Sequence, residues 1–437
     1  MRRAIYILMM VLAANMLRAE IPYQTMIVID RIASLRVQYA PEALGNDVGM
    51  ANPHPERPFL VLSDDMIGDG QQLEISFDEL SHATRHYTYS LVHLNADGKP
   101  SKLSPAEYIR GFNTGDITDY EHSFNTSQLY THYRLLFPNE DMQPTVSGDY
   151  ALMIYEDANP SNLRAMVRFQ VVEPAVRINA DLRTNTDIEF AGRYQQLDIR
   201  VDMQGLRFTS PEEVTLVVEQ NGRSDNRVFN PRPTFIEPQR LTWEHCKPLI
   251  FEGGNEYRHI DLSSVYFMGY GVNHIRFDHE ENLYEAELFE QEWRNDWPYL
   301  SEPDLNGQYV INAERTDADD TEADYMWVTF SLPAPSPMFD GSIYLLGDAW
   351  NNLLRPDNRM TYDNNRHAYV CRQFLKQGGY EWQYVFLPKQ PDALGQRKGT
   401  LLRTEGSHWQ TGNTYRIYVY YRPFGARYDR LVGIEER

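Results

Sequence analysis

The chain predicts an all-β fold of tandem immunoglobulin-like β-sandwich domains. Apolar and polar residues alternate over short runs: Leu73, Ile75 and Phe77 are interleaved with Glu74, Ser76 and Asp78, and the same period returns in Tyr87, Tyr89 and Leu91 and in Tyr133, Leu135 and Phe137. These runs are rich in Tyr, Trp, Val and Ile and are punctuated by Gly and Pro. No stretch carries the helical period for long. Each strand then has one apolar and one polar face, the pattern of a two-layer sandwich.

Taken in order, Arg2 and Arg3 precede an apolar run from Ala4 to Leu17, with a small residue at Ala19. Such a run is too short to span a bilayer, so residues 1–19 are read as a secretory signal peptide. Its removal takes away three arginines and no acids, moving the formal charge from −21 to −24. A surface this acidic argues against nucleic acid and anionic lipid and suits a basic protein partner or plain solubility. No later stretch approaches a membrane helix, so direct membrane insertion is not expected.

Residues 20–174 are expected to form the N-terminal sandwich. Ser104, Pro105 and Glu107 make a capping box, with Gly111 as a stop, and predict a short helical insert over 105–110. An aromatic and amide-rich connection follows through Phe112, Asn113, Tyr120, Phe124 and Asn125. Carried on a rigid sandwich, this insert has the composition of a protein-recognition surface, with Tyr108 included in the candidate set. The plainer reading is that these rings cover the open edge of their own sheet.

Residues 171–174, V-V-E-P, read as a hinge into a second sandwich over 175–312, where Asn221-Gly222 is a strong hairpin signal. Residues 313–324 contain six acids without periodicity and read as a solvated linker. A third sandwich is expected over 325–437. Cys246 and Cys371 fall in different expected domains and are read as unpaired, buried thiols.

Chemistry is sparse. The acids of 313–324 lack the glycine and terminal glutamate of a calcium loop, and His279-Glu280 lacks the second histidine of a zinc-protease helix. There is no G-x-S-x-G elbow. No metal, no cofactor and no enzymatic activity is expected.

Ordered sequence blocks carry more. S-F-D-E-L from Ser76, S-x-L-x-x-x-E-Y-I-x-G-F through Phe112, S-F-N-T from Ser123, T-H-Y-R-x-x-x-P-N-E from Thr131 and S-G-D-Y from Ser147 follow one another. V-V-E-Q-N-G-R at 217–223, F-E-G-G-N-E-Y-R at 251–258 and R-Y-D-R-L-V-G-I at 427–434 come later. Together they resemble the plug protein family of the type IX secretion system of Bacteroidetes. The resemblance implies a periplasmic protein, a monomer outside its complex, that occludes the periplasmic mouth of a giant outer-membrane translocon barrel. The stretch S-I-Y-L-L-G-D-A-W-N-N with the later G-G-Y-E-W also resembles early-set, glycogen-binding-type modules. That resemblance implies, as the alternative, an α-glucan-binding protein using Trp350, Trp382 and Trp409.

Overall fold

The computed structural model describes residues 24–40, 58–392 and 395–437. The expected leader lies outside these residues. Among the described residues, no helix is long and apolar enough to cross a membrane.

The first sandwich pairs two sheets. One runs Met26–Ile27, Leu163–Val172, Gly148–Glu156, Tyr87–Leu94 and Thr114–Ile117, with Phe59–Val61 joining Leu163–Val172 in parallel. The other runs Ile32–Tyr39, Leu73–Glu79, Thr131–Phe137 and Asp119–His122. The alternating apolar positions meet between them: Leu73, Ile75, Phe77, Tyr87, Tyr89, Tyr133 and Phe137 form one core with Tyr150 and Phe169. Its rings are packed edge-on and stacked, as in Phe77 against Tyr133 at 5.3 Å.

The strand Leu73–Glu79 departs from expectation by being buried on both faces. Its polar side faces the third sandwich instead of water. A period of two shows that two faces differ, not what covers each of them.

The second and third sandwiches do not follow one another along the chain. Arg177–Arg183, Tyr194–Asp202, Arg240–Trp243 and Phe235–Glu237 form one sheet of the second sandwich. The opposing sheet joins Val228–Phe229 and Val214–Gln220 to Tyr415–Tyr421 and Arg430–Glu436, the last strands of the chain. The segment from 258 to 388 forms the third sandwich: Arg258–Asp261, Tyr309–Ile311, Gly341–Leu346 and Gly378–Pro388 on one side, and Val272–Asp278, Leu283–Leu288, Tyr325–Pro333, Ala368–Lys376 and Thr361–Asp363 on the other. The boundaries expected at 312 and 325 therefore cut across sheets. Hydrophobic alternation marks strands but carries no information about their partners, and Val214–Gln220 takes Tyr415–Tyr421 as neighbour across almost 200 residues.

Cys246 lies in the second core and Cys371 in the third, and both thiols are free and buried.

The expected hinge is tied down as well. Glu173 N donates to Leu431 O at 2.9 Å and Ala175 N to Val432 O at 2.9 Å, so the exit from the first sandwich is stitched to the last strand. Ala96 and Val172 from the first sandwich share a small apolar cluster with Val217, Tyr418, Tyr420 and Leu431 from the second.

Candidate functional site

The expected insert separates into three pieces. Ser104 N and Oγ each donate to a Glu107 carboxylate oxygen at 2.8 Å, and the helix runs Pro105–Tyr108. Ile109–Gly111 then pairs with Met142–Pro144. Gly111 is obligatory at this turn: its φ is +108°, and a Cβ would stand 2.1 Å from the Asp141 carbonyl oxygen. Tyr108 is buried, its hydroxyl donating to Leu91 O at 3.1 Å, so it packs the sandwich and offers nothing to a partner.

Beyond Gly111 the chain runs extended along the open edge. Thr114–Ile117 adds to one sheet beside Tyr87–Leu94, and Asp119–His122 adds to the other beside Thr131–Phe137. The edge-covering role is thus fulfilled by backbone pairing, which leaves side chains outside. Phe112 is 66 % exposed, Tyr120 43 % and Phe124 63 %, with Asn113 and Asn125 also exposed. Phe112 and Asn113 stand at one end of this edge and Phe124 and Asn125 at the other. The five do not converge on one pocket.

The Phe124 end meets the third sandwich, and here the expected acidic linker has a different role. Within 313–324 a helical turn, Asp319–Glu322, docks on the first sandwich. Phe124 N donates to Thr321 O at 3.0 Å and Tyr130 Oη to Ala323 O at 2.8 Å. Asp324 accepts from Ser127 N and Oγ, both at 2.8 Å, and from Gln128 N at 3.2 Å. Arg36 pairs with Asp320. Deeper in this seam, Asp78 accepts from Lys376 Nζ, Tyr325 Oη and His132 Nδ1, each at 2.7 Å. Burial alone would push the Asp78 carboxyl up; the Lys376 charge and the His132 hydrogen bond outweigh it and hold the carboxyl below its ordinary range.

The later sequence blocks fall at the other seams. In 251–258, where the chain leaves the second sandwich, the Glu252 carboxylate accepts from Thr400 Oγ1 at 2.7 Å and Leu401 N at 2.9 Å. Arg258 makes a two-pronged bond to buried Glu405, at 3.0 and 2.9 Å. In 427–434, Asp429 accepts from Ala96 N at 3.0 Å across to the first sandwich. Glu252 and Asp429 of these blocks thus make contacts between sandwiches, while Arg258 anchors the returning chain to the third.

The tryptophans form no sugar platform. Trp382 is fully buried with its ring 5.2 Å from Phe330, and Trp350 is buried with Nε1 donating to Gln373 Oε1 at 2.7 Å. Trp409 is half-buried where the second sandwich meets the returning chain, its backbone amide donating to Gly192 O at 3.0 Å. Stacking a pyranose needs an outward face, and the glycan-binding expectation fails for Trp350 and Trp382 because they pack the third core. Among the described residues, no group of three or more His, Cys, Asp or Glu is placed to hold a metal ion.

Sequence reasoning missed the loop 263–271, where Tyr266, Phe267, Met268 and Tyr270 are each between 60 % and 63 % exposed. The signal was present as an apolar run without alternation between serines and glycines, Y-F-M-G-Y.

Three joined sandwiches, carrying outward aromatic side chains and bound by polar seams, define a multi-domain all-β protein. A family model described as the first domain of the type 9 secretion system plug protein matches residues 54–173. A crystal structure of a hypothetical protein from Parabacteroides merdae is 36 % identical, covering 95 % of this chain and 99 % of that one, with a TM-score of 0.86. No curated protein matches. The chain belongs to the type IX secretion system plug protein family.

Proposed function

We propose that the protein is a non-enzymatic plug that occludes the periplasmic end of the type IX secretion outer-membrane translocon barrel while no substrate is in transit. The observation that carries this reading is the way the three sandwiches are joined. The third is inserted into the second, the exit of the first is hydrogen-bonded to the last strand, and Asp78 and Lys376 pair in the seam between first and third. A body without a free hinge can cover a wide opening sterically, with no chemistry. The first-sandwich edge bearing Phe112, Asn113, Tyr120, Phe124 and Asn125 is the face assigned to the barrel, exposed but held on paired backbone. Release follows when the barrel moves to a state that binds this face less well. Outside the complex the plug is a periplasmic monomer.

Deleting the protein while keeping the barrel is expected to sensitise cells to a large antibiotic that the outer membrane normally excludes. Unchanged sensitivity, with barrel levels equal by immunoblot, would exclude occlusion as the role.

A further inference from the structure

The loop 263–271 joins Arg258–Asp261 to Val272–Asp278 and presents four large apolar side chains to solvent, yet it is firmly built. Ser264 Oγ accepts from Tyr266 N and Phe267 N, both at 3.2 Å, and Asp261 N donates to Tyr270 O at 3.0 Å. Gly269 allows the loop to close against its base, since a Cβ there would lie 2.3 Å from the Asp261 carbonyl oxygen. An apolar loop held open by hydrogen bonds is preorganised for contact, which reduces the ordering entropy lost on binding.

Its surroundings specify what it meets. The Arg315 guanidinium lies 4.3 Å from the Tyr266 ring centre, and His259 stacks on Tyr270 at 4.3 Å. The Tyr266 ring already takes a cationic side chain on its face. Between this loop and the 124–127 turn of the first sandwich is a cleft of about 430 Å³, lined by Tyr266, Phe277, Tyr284, Glu314, Arg315 and Glu322. Asp324 in its floor is saturated by Ser127 and Gln128, whereas Glu314 and Glu322 have no salt bridge among the described residues. Aromatic walls with Glu314, Glu322 and Asp324 against Arg315, the single cation among the described lining residues, leave the cleft net negative, which suits a guanidinium or ammonium group.

We propose that this cleft and the Tyr266–Tyr270 spur form a second docking element of the plug, which receives an arginine or lysine side chain flanked by apolar residues on the periplasmic face of the barrel. The inference rests on the plug reading and adds the chemistry of the contact. A second copy of this chain would bring its own −21 formal charge against the acidic rim, and an anionic lipid surface is repelled in the same way.

The test places the photocrosslinker p-benzoylphenylalanine at Phe267, at Phe124 and at Phe424, a fully exposed side chain on the second sandwich, in the full-length protein in cells. Adducts are sequenced. The expected result is a barrel peptide containing Arg or Lys captured from Phe267. The double variant Glu314→Arg/Glu322→Arg, with an unchanged melting temperature, is expected to lower recovery of the barrel with the tagged plug about tenfold. Capture of lipid or of a second plug copy from Phe267, a barrel adduct from Phe124 or Phe424 but not Phe267, or undiminished recovery with the charge-reversed variant, would each overturn the inference and leave the plug reading standing. Absence of a barrel adduct from all three positions would count against both.

Discussion

Asp78 and Glu381 are two buried carboxylates with opposite surroundings. Asp78 lies in the seam between the first and third sandwiches with Lys376, Tyr325 and His132 on its oxygens. Glu381, on Gly378–Pro388, receives only backbone donors: Leu305 N at 2.8 Å to both oxygens and Gly307 N at 3.0 Å. Burial pushes its carboxyl up to about 7; the backbone donors counter this in part, while the neighbouring charges of Asp304 and Glu256 add to it. Burial therefore accompanies a carboxyl held below its ordinary range at one site and one pushed up to about 7 at the other. What decides is whether the fold supplies a cation, and at the seam between sandwiches it does.

The comparison is broken most severely by removing that cation. Lys376→Ala leaves Asp78 buried beside His132 and Tyr325 with no lysine, and is expected to cost about 3–5 kcal/mol in guanidinium unfolding. The paired change Asp78→Asn with Lys376→Met removes both charges and is expected to recover most of this. A single-variant loss below about 1 kcal/mol would show that the pair contributes little to holding the sandwiches together.

A smaller effect sharpens the other side. Because the folded Glu381 carboxyl titrates at about 7 and the ordinary value is 4.5, the folded state holds an extra proton between these values. Stability from this group is therefore full below about pH 4.5 and declines as pH rises to about 7. Glu381→Gln is expected to match the parent near pH 4.5 and to exceed it at pH 8 by on the order of 2–3 kcal/mol. Some slope will persist from Glu256 and Asp304, whose carboxyls burial also pushes up. Parallel stability profiles for the variant and parent would show that Glu381 is not the titrating group.

Much of the architecture is legible in the sequence, and the failures have a common cause. Local patterns report local structure: alternation at Leu73, Ile75 and Phe77 marks a strand, Ser104 with Glu107 marks a helix start, and each appears in the fold. Patterns do not report what lies across a surface. Asp78 looks like an outward acid and is sealed under Tyr325 and Lys376, and Asp320 and Asp324, in a segment that looks like a solvated linker, instead bind the first sandwich. Tyr108 and Phe112 are both aromatic residues of one insert, yet one is inside and the other outside, because Gly111 turns the chain between them. The aromatic loop at 266–270 carries no local mark of exposure, since a run without a period resembles a buried strand.

An exposed contact between sandwiches behaves differently. Arg427, near the end of the chain, pairs with Glu107 of the first-sandwich helix, but both side chains are largely exposed. The hydrogen bond from Arg427, followed by those from Ser104 N and Oγ, draws the Glu107 carboxyl down to about 2. Such a depressed carboxyl adds stability above its ordinary pKa and loses it as pH falls toward 2, but water and salt screen an exposed pair. Arg427→Gln is therefore expected to leave the unfolding midpoint at pH 7 unchanged within error. It should move the Glu107 titration, followed by carboxyl carbon NMR, upward toward 4.5 without reaching it, because the Ser104 capping box persists. A Glu107 titration that does not move would assign the whole depression to the helix cap, and a lowered midpoint would make this exposed pair part of what holds the sandwiches together.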